Sequence, residues 1–180
     1  MPRGGRRVVV IRGGGLDAKH HIGLIPAMTD SAALKRAAAA RALDDAAVAQ
    51  EHDTLFGGIG KPEVYLFGSH FLSGFLNEKP LAALRGELAR LGLERDSAMP
   101  ETEDHFACLC EVMRYLIAGD DAAVSNLTQQ RAFFSSHIQT WVMTMCDDIA
   151  QHPAARFYAA LAELTRAFMS VEVQGFDMLD

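Results

Sequence analysis

The chain has 180 residues, of which 49% are apolar and 22% charged, and its formal net charge is -6. This length is sufficient for one domain with a sizeable core. Because an acidic chain lacks the concentrated lysine and arginine that binding to phosphate backbones requires, the composition argues against nucleic acid as a partner. The chain has three cysteines, and a small, odd number argues against a disulfide framework and favours a reducing compartment.

The first 31 residues predict a glycine-rich leader that is disordered or not native to the fold. Gly4-Gly5 and Gly13-Gly14-Gly15 flank a short strand-like segment, Val8 to Ile11. The glycines lack the Gly-Lys-Ser/Thr ending of a phosphate loop, which argues against that motif.

Arg6-Arg7 precedes this apolar segment, as a pair of arginines does in a twin-arginine export signal. Arg12 interrupts the apolar stretch, however, where a signal peptide needs a continuous one. No apolar run in the chain approaches the roughly 20 residues of a membrane helix. We therefore expect a cytoplasmic protein that is neither exported nor inserted stably into a membrane.

Residues 32–180 predict one all-helical domain, since apolar residues recur at spacings of three and four and strand-period alternation has no useful length. Pro80 and Pro153 suit first helical positions, and Gly92 suits a C-cap. A break near Ser135-Ser136 and a loop over 94–100 are also expected. The predicted helices cover 32–55, the later part of 63–76, 80–91, 101–118, 122–149 and the segment after Pro153.

The sequence Glu-Thr-Glu-Asp-His over 101–105 opens one of these predicted helices. Its carboxylates, Glu101, Glu103 and Asp104, would then lie near the positive end of the helix dipole. Helix capping accounts for part of this acidity, and recognition of a guanidinium is the alternative. His105 can donate, accept or change its charge near neutral pH.

The sequence favours neither a catalytic site nor a metal site. Asp104 and His105 are neighbours, which point about 100° apart on a helix, and Cys108 and Cys110 point roughly 200° apart. No nucleophile stands at a motif spacing. A small helical enzyme or nucleotide-binding protein nevertheless remains the alternative class.

Three segments, taken in order, resemble the TorD/DmsD family of redox-enzyme maturation chaperones, over roughly residues 50–172. The first runs from Leu55-Phe56-Gly57-Gly58 to Ser69 and is followed by the helix of 81–93. The second, Met99 to His105, is similar to the family signature Glu-Pro-x-Asp-His. The third comprises Phe133-x-x-x-His137-x-x-x-Trp141 and then Phe157-Tyr158.

Two departures from the family pattern are evident. Thr102 stands where the family has a proline, so that turn is expected to be less rigid. Only one alanine-rich helix precedes the Leu-Phe-Gly turn. Either the N-terminal part is shortened, or residues 1–27 precede a true start at Met28.

The resemblance implies an all-α fold: a single helical-bundle domain of the TorD-like type with a shortened N-terminal part. It also implies a chaperone, not an enzyme, that binds the twin-arginine leader or the cofactor-free body of a molybdopterin oxidoreductase and aids cofactor insertion and export proofreading. Formate dehydrogenase is the preferred client, with dimethyl-sulfoxide, trimethylamine-oxide and nitrate reductases as alternatives. No cofactor is expected beyond weak guanine-nucleotide binding, and surface exposed by a missing helix would favour a homodimer.

The resemblance also assigns roles to residues. Polar client contacts would come from Glu101, Glu103, Asp104 and His105, and further contacts from Ser69, Phe71 and Phe75. The structural motif would comprise Phe133, His137, Trp141, Phe157 and Tyr158. Neither His137 nor Trp141 is expected to be catalytic, because an aromatic stripe at helical spacing is usually core.

Overall fold

The computed structural model describes residues 9–11, 36, 38–40, 44–57 and 61–179. The chain divides into two compact units, residues 1–15 with 67–140 and residues 16–66 with 141–180. The predicted all-α class is confirmed, with one small sheet added. The elements are β1 (Val9–Ile11), α1 (Asp45–Leu55), α2 (Gly68–Ser73), α3 (Lys79–Leu91), β2 (Leu93–Arg95), α4 (Phe106–Ala118), α5 (Leu127–His137), α6 (Val142–Gln151) and α7 (Phe157–Asp177).

The first unit contains α2 to α5 and the two strands. Helix α3 has proline in its first turn and ends at Gly92, whose φ of 73° is the left-handed conformation that glycine adopts without strain. Helix α2 packs on α3, and α4 packs on α5. The stripe predicted for α3 is buried: Leu81, Leu84, Leu88 and Leu91. Of the stripe predicted for α4, Leu109, Val112 and Leu116 are buried, whereas Phe106 and Met113 are half-buried. The spacing also predicts buried positions for Leu127, Leu161 and Phe168 in the later helices, and this is wrong, because all three are exposed.

Helix α4 begins at Phe106, five residues later than the periodicity predicts. His105 is its N-cap and accepts a hydrogen bond from the Ala107 backbone N–H at its Nδ1 atom, 3.2 Å away. Residues 101–105 therefore form an irregular segment, and the expectation that Glu101, Glu103 and Asp104 open this helix is wrong. Their carboxylates are not in its first turn, so the helix dipole does not explain them.

The helix predicted over 122–149 is two helices, α5 and α6, in different units. Asn126 caps α5 by accepting a hydrogen bond from the Gln129 N–H, 3.0 Å away. The break falls at residues 138–141, after the expected Ser135-Ser136. Ile138 and Trp141 have non-helical backbones there, and both are buried.

The second unit contains α1, α6 and α7. Helix α6 packs on α7, and α1 also contacts α7. The helix predicted over 32–55 is interrupted at Asp44, which has an extended backbone, although residues 36 and 38–40 are helical. The caps predicted at Asp30 or Ser31 lie outside the described residues. Pro153 lies in a turn, and α7 begins at Phe157 instead.

The two strands form a parallel pair in which Val9 lies opposite Leu93, Val10 opposite Glu94 and Ile11 opposite Arg95. The strand-like character of Val8 to Ile11 is thus confirmed over three residues. The strand β2 occupies the start of the segment predicted as a loop. Apart from β1, the predicted leader of residues 1–31 lies outside the described residues, and no helix in the described part of the chain could cross a membrane.

Candidate functional site

Ser69 and Asp104 are brought together inside the first unit. The Asp104 carboxylate accepts a hydrogen bond from the Ser69 backbone N–H at 2.8 Å and another from the Thr102 hydroxyl at 2.6 Å. Ser69 is 0% exposed and Asp104 is 3% exposed. Both residues therefore lie beneath the surface, where the Asp104 carboxylate and the Ser69 backbone N–H join the first turn of α2 to the segment that precedes α4.

The Ser69 hydroxyl oxygen is itself buried without a hydrogen-bond partner. An unsatisfied buried hydroxyl costs free energy, so packing must compensate for it at this junction. The first turn of α2 is thus held by its backbone N–H groups, since the Gly68 N–H also donates to the Asp104 carbonyl oxygen, 2.9 Å away.

Glu103 takes part in a cluster of charges instead of capping a helix. Its carboxylate accepts hydrogen bonds from Arg85 Nε at 3.1 Å and Nη2 at 2.9 Å, and the Arg95 Nε atom lies 3.7 Å away. Burial alone would raise the pKa of Glu103, but the Arg85 hydrogen bond and the two positive charges outweigh it, so its pKa is lowered. Glu103 is therefore an anion at neutral pH.

A pocket of about 300 Å³ lies beside this cluster. Strand β2, the end of α3, Arg85 and Glu103 line it. Two arginines and two carboxylates, Glu103 and Glu94, thus border one small cavity.

His105 and Glu101, like Glu103, are half-buried. The His105 ring makes an edge-to-face contact with Phe67, with ring centroids 5.0 Å apart, and the two residues form an antiparallel bridge. Because Nδ1 of His105 accepts the capping hydrogen bond, the neutral ring carries its proton on Nε2.

The predicted apolar contacts differ in exposure. Phe71 is half-buried and its ring lies 5.3 Å from that of His70. Phe75 is 70% exposed, and its neighbours Leu72 and Leu76 are 43% and 41% exposed. The sequence pattern does not distinguish these two leucines from buried ones. Together with Phe75 they are three exposed apolar residues within five positions around the end of α2, which we call the α2 patch.

The predicted structural motif is largely buried. Phe133 in the first unit and Trp141 in the second are 1% and 2% exposed. His137 lies against Phe133 with ring centroids 5.0 Å apart. Burial lowers the pKa of His137, and Glu87 opposes this only in part. The His137 imidazole is therefore neutral near pH 7, which is consistent with a structural role.

Phe157 and Tyr158 lie in the first turn of α7, and the residue that holds this turn, Glu51, was not predicted. Its carboxylate accepts hydrogen bonds from the backbone N–H groups of Arg156, Phe157 and Tyr158 at 2.8, 3.1 and 2.8 Å. A glutamate in an alanine-rich helix carries no local sign of such a role. Its partners are distant in sequence, and only the fold shows them.

Among the residues that the structure describes, no three histidine, cysteine, aspartate or glutamate side chains are grouped so as to hold a metal ion. The arrangement offers a buried junction, a cluster of charges with a pocket, and an exposed apolar patch. The charged cluster can form ion pairs with another molecule, and the exposed apolar residues can contact its apolar side chains.

Comparison with known proteins defines the class. The model of the nitrate reductase delta subunit family matches residues 25–147 of the chain. The chain belongs to this family, which includes the TorD-like chaperones, and the resemblance found in the three sequence segments is confirmed.

Curated relatives of the chain carry the name of one chaperone, TorD. The chain is 30% identical over 112 residues to the chaperone protein TorD of Vibrio cholerae serotype O1, covering 59% of this chain and 51% of that protein. It is 27% identical over 110 residues to the chaperone protein TorD of Colwellia psychrerythraea, covering 57% and 44%. The chain thus spans about half the length of the curated relatives it matches, and their name is that of a chaperone, not of an enzyme.

Proposed function

We propose that the chain is a cytoplasmic chaperone that binds the twin-arginine leader and the cofactor-free body of a molybdopterin oxidoreductase during its maturation. The observation that carries the proposal is the family match over residues 25–147, within which the signature segment and the α2 patch both lie. Such a chaperone performs no covalent chemistry, so the proposal assigns no catalytic residue.

The proposed contacts follow from the chemistry of a twin-arginine leader, which presents two guanidiniums beside an apolar stretch. Phe75, with the rest of the α2 patch, contacts the apolar stretch. Glu101, Glu103 and His105 supply the polar contacts, and a guanidinium of the leader would exchange with Arg85 at Glu103. Ser69 and Asp104 act as positioning residues, because both are buried.

Formate dehydrogenase stays our preferred client, and dimethyl-sulfoxide, trimethylamine-oxide and nitrate reductases stay the alternatives. Weak guanine-nucleotide binding and a homodimer stay predictions as well. Identification of the oxidoreductase that co-purifies with the tagged full-length chain from its own cells distinguishes among these clients.

Titration calorimetry with a synthetic peptide tests leader binding directly. The peptide carries adjacent arginines followed by an apolar run, and its matched control has two glutamines in place of the arginines. Glu101→Gln should weaken binding about ten- to a hundredfold, since a charge-assisted hydrogen bond contributes about 1.5–3 kcal/mol. Phe75→Ala should weaken binding at least about tenfold, through loss of an apolar anchor.

Leu127→Ala is the matched control variant, because Leu127 is 58% exposed and lies in the same unit but outside the predicted set. Its affinity for the peptide should equal that of the unmodified chain. Equal binding of the arginine and glutamine peptides would contradict twin-arginine recognition. Unchanged affinity in both Glu101→Gln and Phe75→Ala, with melting points preserved, would contradict the assigned site.

A further inference from the structure

The strand β2 presents a sheet edge to which an extended segment can add. Leu93 is 5% exposed and anchors β2 in the core, whereas Glu94 beside it is exposed. In the described part of the chain, the strand paired with β2 is β1, which comes from the other end of this unit's sequence. An edge strand offers unpaired N–H and C=O groups, and peptides bind such edges by adding a strand.

The residues that occupy this edge share part of the composition of a leader peptide, although Arg12 ends their apolar stretch after four residues. Val9, Val10 and Ile11 are apolar and suit a strand, and in the sequence Arg6-Arg7 precedes them with one further valine between. Two arginines followed by an apolar stretch is also the chemistry of the proposed client leader. The chain therefore places on β2 a segment of its own that resembles the start of this ligand.

Carboxylates that a basic ligand can contact lie around β2, next to Arg85 and Arg95. The pocket of about 300 Å³ is lined by β2 itself, Arg85 and Glu103. Glu94 is exposed on the strand, and the Glu103 carboxylate, whose side chain is 13% exposed, lies at the same pocket. A basic peptide paired with β2 would thus have two carboxylates within its neighbourhood.

We propose that β2 is a strand-addition site for basic, apolar leader segments, and that residues 9–11 occupy it as an autoinhibitory plug. This inference rests on the proposed function and specifies how that function is regulated. A client leader binds by displacing β1 from β2. Three paired residues at the end of a long connection form a weak contact, which can exchange with a competing strand.

The first test opens the edge in the full-length chain. V9P/V10P removes two of the three backbone N–H groups of β1, at least one of which faces β2, and G4P/G5P is a matched control with two prolines outside the strand. Binding of a labelled peptide with the sequence of residues 5–14 is followed by fluorescence anisotropy. A tethered segment competes at an effective concentration near the millimolar range, so opening the edge should raise affinity at least about tenfold.

A second peptide, with the twin-arginine leader described above, distinguishes this inference from the proposed function. Its affinity for V9P/V10P should rise by the same factor as that of the 5–14 peptide. If the 5–14 peptide binds the unmodified chain, V9P/V10P and G4P/G5P with equal affinity, residues 9–11 do not act as a plug. If V9P/V10P raises the affinity for the 5–14 peptide but not for the leader, the leader does not bind at the β2 edge. If the leader binds none of the three chains, the proposed function is contradicted as well.

A reversible lock covers the case in which the prolines disturb folding. V10C/E94C places cysteines at positions opposite each other in the strand register, where adjacent strands are about 4.8 Å apart and a disulfide fits. Oxidation should lower the leader's affinity at least about tenfold, and reduction should restore it. Equal affinity in the oxidised and reduced forms, with the disulfide verified by mass spectrometry, overturns the proposal.

Discussion

At the scale of single residues, the acidic signature segment contains carboxylates with different roles. Asp104 is buried and holds the Ser69 N–H and the Thr102 hydroxyl. Glu103 is paired with arginine, and Glu101 is half-buried beside them. The sequence pattern leaves capping and binding open for all three carboxylates, whereas their surroundings in the fold distinguish structural from surface positions.

Asp104→Ala should lower the free energy of unfolding by about 1–3 kcal/mol, because it leaves the buried Ser69 N–H without an acceptor. Asp104→Asn keeps one acceptor oxygen and should lower the free energy of unfolding by a smaller amount. Urea denaturation followed by circular dichroism measures the difference. Glu101→Ala is the control from the same segment and should change stability by less than about 0.5 kcal/mol. A wild-type midpoint for Asp104→Ala would show that this junction does not contribute to stability.

Gly57 of the Leu-Phe-Gly turn has a steric explanation at the same scale. A Cβ at this position would lie 2.9 Å from the Asp53 carbonyl oxygen, a backbone atom that cannot move aside. Glycine is therefore required by the close return of the chain after α1. The sequence motif is thus explained by the backbone contact that it permits.

At the scale of elements, side chains from elsewhere in the sequence decide where helices begin. The first turn of α7 has its N–H groups satisfied by Glu51, although Pro153 offered an earlier start. The start of α4 follows from His105, whose preceding neighbour is turned toward Ser69. Helix starts are sensitive to such acceptors because the first N–H groups have no partner within the helix.

Glu51→Gln should destabilise the second unit by about 1–2 kcal/mol, because it removes a charged acceptor of three helix N–H groups. Asp53→Asn removes a carboxylate from the same helix, α1, but the Asp53 side chain is 84% exposed. This control should change stability by less than about 0.5 kcal/mol. Urea denaturation followed by fluorescence of Trp141, the one tryptophan in the sequence, reports on this unit. Equal midpoints for the two variants would contradict the capping role.

At the scale of the whole molecule, the three cysteines report separately on the two units. Cys108 and Cys110 lie in α4 of the first unit, and Cys146 lies in α6 of the second. Burial raises the pKa of Cys108 and Cys146 to about 11 and that of Cys110 to about 12. Because the thiolate is the reactive form, these thiols are poor nucleophiles in the folded protein.

Labelling of the native chain by a disulfide reagent near neutral pH should be at least about a hundredfold slower than labelling of the unfolded chain. Peptide mapping of partly labelled protein in increasing urea then shows which unit opens first. Simultaneous labelling of Cys108 and Cys146 would indicate cooperative unfolding. Rapid labelling of either residue in the native protein would contradict its burial.

The amino-acid sequence by itself determined the helical class, the buried stripes of α3 and α4, the Gly92 cap and the family. These features depend on residues three or four apart, or on one glycine, so neighbours in the sequence carry the information. The order of the three signature segments along the sequence likewise determined the family.

Only the tertiary structure decided which signature residues are buried, where α4 and α7 begin, and what β2 pairs with. Ser69 and Asp104 are 35 residues apart, and Glu51 and Arg156 are 105 residues apart. A carboxylate has the same local sequence signal whether it caps a distant helix, pairs with an arginine or faces a ligand. Its role follows from the donor that folding brings to it, because an acceptor's contribution depends on the burial and the partner that it finds.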